Sequence, residues 1–370
     1  MTASFPATFA RGGTSNGLII HKSDLPLGVS RWQPILSRAM GSPDSFGRQL
    51  NGMGSGISST SKICVIEKSS RPGVDVDYTF VQVGIKDGHL DTAGNCGNMS
   101  SAVGPWAFNE GLVKAKKNAS NNNGEDEITV RMFNTNTSKE ILNTFTLTPD
   151  RQQFNPRGDY SIDGVGGSGS KITLSFLDPS GAKTGHALPT GKPLDTLTLP
   201  DGRTIRATLS DIANPGVFIL ASELGIPGSI SYDELAANSV LLSHLEDIRR
   251  AGTAAMGLDP DVQSVPKIVM LSSPSAEEVE KGVHIGCRAL SMQQAHKAVP
   301  LTLALNLGAI CRIPGTLAAE VARGAEGRES IRIAHASGTL DVGSVFRDGR
   351  LESALLHRTA RMLMKGDVFY

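Results

Sequence analysis

The stretch Gly94-Asn95-Cys96-Gly97-Asn98 opens directly onto Met99 to Leu112, an apolar run with helical spacing. A cysteine at that point sits where a helix leaves its first amides unpaired and carries a partial positive charge, which favours a thiolate. The same amides can hold a ligand carboxylate. The competing reading is a buried thiol acting as a small hydrophobe. Two glycines and two asparagines are unusual company for such a thiol, so Cys96 reads first as a functional residue. The second half of the chain has a comparable element. Pro300 to Ile313 is Ala/Leu-rich and reads as a buried helix after a proline-marked turn. Each half therefore offers a buried helix among several strands, although no residue-level repeat links the two.

Working outward, Gly17 to His21 reads as a short strand and Trp32 to Met40 as a helix, with apolar residues at 32, 35, 36, 39 and 40. Ser58 to Ile66 and Tyr78 to Ile85 read as strands, joined to what precedes by the glycine-rich loop Asn51 to Gly56. Lys114 to Glu127 is polar and low in complexity and reads as a solvated loop. Ile128 to Phe133 and Ile141 to Thr148 form an expected hairpin. The domain crossing is expected near residue 185. Beyond it, Val217 to Leu220, Lys267 to Leu271 and His284 to Leu290 read as strands. Ser231-Tyr232-Asp233-Glu234 is a capping box opening a helix whose Leu241, Leu245 and Ile248 share one face.

Composition narrows the classes. The 370 residues carry 36 basic and 36 acidic side chains, so no electrostatic footprint for nucleic acid is present. No apolar run approaches the ~20 residues of a spanning helix, no polybasic run marks a membrane surface, and no signal peptide is visible. The expectation is a soluble, cytoplasmic protein of about two domains, with its four cysteines reduced. Those cysteines, at 64, 96, 287 and 311, and the eight histidines show no metal-ligand spacing, so no metal is expected. Glycine is abundant at 41 residues, against an average near ~7%, which suits tight turns and close approach of backbone to a small ligand.

Other motifs carry two readings each. Gly164 to Gly169 satisfies G-x-G-x-x-G, but a strand, Lys171 to Phe176, follows where a dinucleotide site needs a helix, so a mobile loop is the better reading. Lys62 lies in the strand-like run Thr60 to Ile66. It is either a snorkelling surface residue or a desolvated amine able to act as a base, and the local sequence favours the surface. Cys64, two residues on, reads as core. Arg11-Gly12-Gly13-Thr14-Ser15-Asn16 suits contacts with an anion or an ordinary turn equally. His296 and His335 lie near small-residue loops, with no further signal.

Taken in order, Arg11 to Ser15, Met40-Gly41-Ser42-Pro43-Asp44, Ser59-Thr60-Ser61-Lys62, Asp75 to Tyr78, Gln82-Val83, Asn95 to Asn98 and Val103-Gly104-Pro105 resemble the PrpF family. This family comprises 2-methylaconitate, aconitate and methylitaconate isomerases and oxalomesaconate tautomerases. Asn214-Pro215, Ser291-Met292 with His296-Lys297-Ala298, Ile313 to Thr316, Ala334 to Gly338 and Arg358-Thr359-Ala360-Arg361 extend the resemblance over nearly the whole chain. The resemblance implies a diaminopimelate-epimerase-like α/β (α+β) fold. In it two similar domains, 1–185 and 186–370, each curl a mixed sheet around a central helix, with the active site in the cleft.

The resemblance further implies that Lys62 and Cys96 are catalytic and that no cofactor is used. Substrate contacts are expected from Thr14, Ser15, Ser61, Gly97, Asn98, Asn214, His296 and Ser337. The implied reaction is an allylic 1,3-proton shift in an aconitate-type unsaturated di- or tricarboxylic acid. That small acid is the expected partner, with a homodimer left open and neither nucleic acid nor membrane involved. Asn16 stands where a lysine is usual, Thr302-Leu303-Ala304 replaces Thr-Gly-Ala, and Ala336 replaces a proline; these departures bear on the substrate more than on the chemistry. The alternatives are a cofactor-independent amino-acid epimerase, which expects a reactive cysteine in each domain, and a non-catalytic anion-binding protein.

Overall fold

The computed structural model describes residues 3–114 and 126–370. Most of the polar stretch read as a loop from Lys114 to Glu127 lies outside the described residues. The chain divides into two compact units, one of Met1–Ser175 with His357–Tyr370 and one of Phe176–Leu356. The crossing thus falls about ten residues before the expected one. The C-terminal segment returns to the first unit because its strand, Ala360–Phe369, pairs antiparallel with the first strand of the chain.

In the first unit β1 (Ser4–Gly12) pairs antiparallel with β2 (Ser15–His21), and β2 runs parallel to β3 (Lys62–Lys68). Then β3 pairs antiparallel with β4 (Val76–Val83), which takes the short β5 (Leu90–Asp91) antiparallel and β6 (Glu127–Asn134) parallel. The sheet ends at β7 (Lys139–Thr146), antiparallel to β6. Between β2 and β3 lies α1 (Gln33–Ala39), and between β5 and β6 lies α2 (Gly97–Asn109). The α1 helix begins one residue after the buried Trp32 and packs Leu36, Ala39 and Met40 onto Leu18, Ile20, Ile63 and Val81.

Every residue of α2 from Gly97 to Phe108 is buried. A helix that is apolar all round needs protein on every side. The sheet supplies it by curling, so that α2 touches β1, β2 and the C-terminal strand on one side and β6 and β7 on the other. Polar contacts anchor it as well: Trp106 donates its Nε1–H to Thr8 Oγ1 at 2.9 Å, and Asn143 donates Nδ2–H to the Ser100 carbonyl at 3.0 Å.

The second unit repeats this order of pairings. Strand Thr204–Ile212 is antiparallel to Asn214–Leu220, which is parallel to Lys267–Ser272; that strand is antiparallel to Ile285–Ser291, itself parallel to Ser330–His335. Gly338–Arg347 closes the series antiparallel. The helix Leu301–Ile310, buried at all ten positions, occupies the place of α2 and touches strands at both ends of the series. It ends three residues before the expected Ile313. Even the node Gly17–Lys62 has a counterpart, since Gly216 pairs with Lys267 at the start of the equivalent strand. The internal repeat is therefore topological, carried by strand order and a buried helix, and invisible in residue identities.

Three further expectations shift in detail. The helix opened by the Ser231 capping box stops at Ala237, and a second begins at Ser239, because Asn238 caps it by accepting the Leu241 N–H. Leu241, Leu245 and Ile248 are buried on that second helix. The strand expected from Ser58 begins at Lys62, with Ser58–Thr60 forming a 3-10 turn. After Gly164 to Gly169 the chain enters the strand Ile172–Leu177, which leaves no helix N-terminus there for a dinucleotide. Among the described residues no helix is long and apolar enough to cross a membrane, and no cluster of His, Cys, Asp and Glu could hold a metal ion.

Candidate active site

The α2 helix begins at Gly97, two residues earlier than its apolar periodicity announces, and this makes Cys96 its N-cap. The Cys96 backbone is extended, and its side chain makes no capping bond, so the first amides of the helix remain unclaimed by it. Its thiol is partly exposed, and Ser15 Oγ lies 4.0 Å from it. Behind the cap, Tyr78 donates its O–H to Asn95 Oδ1 at 3.2 Å and lies 2.8 Å from Ser100 Oγ, and Ser100 donates to the Cys96 carbonyl at 3.0 Å. Burial pushes the Tyr78 phenol well above its ordinary range, so this tether stays neutral.

Asn98, the second residue of α2, is buried and holds the loop between β1 and β2. Its Nδ2 donates to Thr14 Oγ1 at 3.1 Å, while its Oδ1 accepts from the Thr14 N–H at 3.4 Å and from Arg358 Nε at 3.2 Å. The fit is close. Gly13 has φ +52°, and a Cβ there would lie 2.1 Å from Asn98 Oδ1. Arg358 is 6% exposed, and burial pulls its guanidinium down to about 10. Burial, and then the nearby Arg361, also lower Arg11, which donates to the carbonyls of Gly13 and Thr359. Among the described residues no carboxylate pairs with Arg11 or Arg358. Among the described residues the neighbourhood of the α2 start is thus cationic, with no carboxylate paired to either guanidinium.

Lys62, the first residue of β3, is 7% exposed, so the snorkelling alternative is excluded. Its amine donates to Gln82 Oε1 at 2.6 Å and lies 5.1 Å from the centre of the Phe80 ring. Cys64, on the same strand face, is fully buried as expected of a core residue; burial pushes its thiol up, with smaller effects from the charges of Cys96 and Lys62. The buried Ser61 hydroxyl donates to the Val83 carbonyl at 3.0 Å and accepts from Gln49 Nε2 at 2.8 Å.

In the first unit the structure brings together Thr14, Ser15, Cys96, Gly97 and Asn98, while Lys62 lies on β3 opposite Gly17 of β2. The three remaining candidates belong to the second. Asn214 is fully buried and donates Nδ2–H to Thr302 Oγ1 at 3.0 Å, at the start of the helix Leu301–Ile310. His296 Nδ1 accepts from the Ala298 N–H at 3.1 Å, which puts the proton of the neutral ring on Nε2. Ser337 is exposed in the turn between the strands Ser330–His335 and Gly338–Arg347, and its N–H points to His335 Nδ1 at 3.3 Å. Two buried amides to which the motifs gave no role emerge near Lys62, one of them in the quoted Gln82-Val83. Gln82 receives its amine, and Gln49, fully buried at φ +53°, bonds Ser61, Ser42 and the Gly56 N–H. An amide within the apolar end of its strand, Phe80-Val81-Gln82-Val83, was the available signal for Gln82.

Known proteins resemble this chain over its whole length. The model of the family described as PrpF protein matches residues 2–370. A 2-methyl-aconitate isomerase of Cupriavidus necator is 36% identical over 385 aligned positions, covering 98% of this chain and 96% of the relative. The crystal structure of a methylitaconate-delta-isomerase superposes with a TM-score of 0.77 at 33% identity, covering 100% of this chain and 96% of that one. A hydroxyproline epimerase from Agrobacterium vitis shares the fold alone, with a TM-score of 0.58 at 10% identity over 100% and 94% of the two chains. The mixed α/β architecture is that of the methylitaconate isomerase, and the chain, an isomerase, belongs to the PrpF family.

Proposed function

We propose that this isomerase moves a double bond in an aconitate-type unsaturated di- or tricarboxylic acid by a 1,3-proton shift, with Lys62 as the base and Cys96 at the other end of the transfer. The observation that carries the reading is the pairing, in one unit, of a buried amine held by a neutral amide with a thiol capping a buried helix. The neutral Lys62 amine takes a proton from the carbon that is both allylic and next to a carboxylate. The electron pair spreads over the allyl system into that carboxylate. A proton then returns at the far allylic carbon, either from the Lys62 ammonium or from the Cys96 thiol, and the double bond has moved.

The developing charge is the expensive part of this reaction, and fixed dipoles lower its cost as it forms. The open amides at Gly97 and Asn98 are suited to that task, and the uncompensated charges of Arg11 and Arg358 favour a polyanion nearby. An amino-acid epimerase would call for a second reactive thiol. Cys287 and Cys311 are 1% and 5% exposed, and burial pushes the Cys287 thiol up to about 12 and that of Cys311 higher still. Incubation with cis-aconitate, 2-methylaconitate, itaconate-type acids and oxalomesaconate in D₂O, followed by NMR, tests the reading. Isomerisation with deuterium at the allylic carbons is expected, and Lys62→Ala should abolish it in a folded protein. Near-native turnover by that variant removes Lys62 from the mechanism.

A further inference from the structure

Gln82 occupies a node that the proposed reaction does not yet use. It is 3% exposed, and both hydrogens of its Nε2 are spent on backbone carbonyls, Ser58 O at 3.1 Å and Ser61 O at 2.9 Å. Flipping the amide would set its oxygen against those two carbonyls and its NH₂ against the lysine amine. Its Oε1 is therefore locked towards Lys62 Nζ, 2.6 Å away. Strand register brings this about. Gly17, Lys62, Gln82 and Asp91 pair in a row across β2, β3, β4 and β5, so their side-chain positions share one sheet face. Gly17 leaves its place in the row empty; a Cβ there would lie 3.1 Å from Lys62 Cβ. The amine is thus held from the Gln82 side.

We propose that Gln82 is the positioning residue of the base: it holds the Lys62 nitrogen in one place through both protonation states without adding charge. The inference rests on the role given to Lys62 above. An ammonium and a neutral amine can each donate one N–H to an amide oxygen, so the bond survives proton uptake and release. A carboxylate at the same point would hold the nitrogen equally well but retain its proton by Coulomb attraction. Other titratable groups around Lys62 are Cys64 on its own strand, Asp91 at the end of the row and Cys96 on α2. Asp91 Oδ1 accepts the Ala93 N–H. The 3-10 turn Ser58–Thr60 now has a reason as well, because its first carbonyl is one of the two that orient Gln82.

The test compares Gln82→Glu with Gln82→Met, which keeps the volume. Two readouts are needed: the pH profile of kcat on whichever acid the native protein isomerises, and the rate of trace acetylation of Lys62 against pH, mapped by mass spectrometry. For Gln82→Glu the acidic limb of both profiles should move to higher pH by about 1–3 units, with KM little changed. For Gln82→Met, kcat should fall roughly 10- to 100-fold without that upward move, since a misplaced base costs about that much. Should Gln82→Glu not fold, Gln82→Met carries the kinetic half alone. Native-like profiles and kcat in the folded variants, with only the melting temperature lowered, overturn the proposal and leave Gln82 structural. Acetylation does not depend on turnover. A native protein inert towards every acid would therefore refute the proposed function, while a shifted acetylation limb would still support the Gln82–Lys62 pairing.

Discussion

Limited alkylation separates the four thiols by a margin that follows from burial. Cys64, Cys287 and Cys311 are 0%, 1% and 5% exposed, and only Cys96 is partly open. The thiolate is the nucleophile, so two factors multiply: access of the reagent and the fraction ionised. For Cys287 burial moves the thiol from its ordinary 9.0 to about 12, which at pH 8 leaves about a thousandfold less thiolate than in a free cysteine. Cys64 and Cys311 are shifted further in the same direction. Iodoacetamide at pH 8, quenched at low conversion and mapped by mass spectrometry, should therefore place its first label on Cys96. The three buried thiols should react only as the protein unfolds. If the helix start holds a substrate carboxylate, millimolar trans-aconitate should slow labelling of Cys96 and leave unfolding-limited labelling of the others to fall only with added stability. A first label on Cys64, Cys287 or Cys311 would refute the reasoning from burial, and unprotected labelling of Cys96 would place the carboxylate elsewhere.

Gly13→Ala sets a methyl group against Asn98 Oδ1 in a left-handed backbone, so urea unfolding should show a loss of about 1–3 kcal/mol together with a raised KM. His284 is held below its ordinary 6.5 mainly by burial and then by Arg328, and its Nδ1 accepts the Arg332 N–H at 2.9 Å. Because the unfolded chain takes up this proton first, the stability His284 contributes is present above about pH 6.5 and is lost as pH falls below it. Melting temperatures of native protein and His284→Asn should therefore converge as the pH is lowered. His296→Gln separates ligand from scaffold: a raised KM at constant kcat marks ground-state binding through Nε2–H, whereas unchanged constants with a lower melting temperature mark a structural ring.

Much of this molecule follows from local pattern. Met99 to Phe108 and Leu301 to Ile310 are apolar apart from Ser100, Ser101, Thr302 and Asn306, which asks for burial on nearly every side, and a sheet wrapped around each helix provides it. The small polar approach to α2 marks Cys96 as a cap because unpaired amides are a local property of a helix start. The capping box at Ser231 was legible for the same reason. What the local pattern could not decide was every property set by partners distant in sequence. Lys62 reads as a surface residue until β2 and β4 flank it, 45 and 20 positions away, and bury it. Ser61 looks available until Gln49 and Val83 take its hydroxyl. The return of Ala360–Phe369 to β1 brings Arg358 to Asn98 across 260 residues, a pairing that depends on strand order and on no nearby signal. Residue types named the chemistry; register and burial decided which of them could perform it.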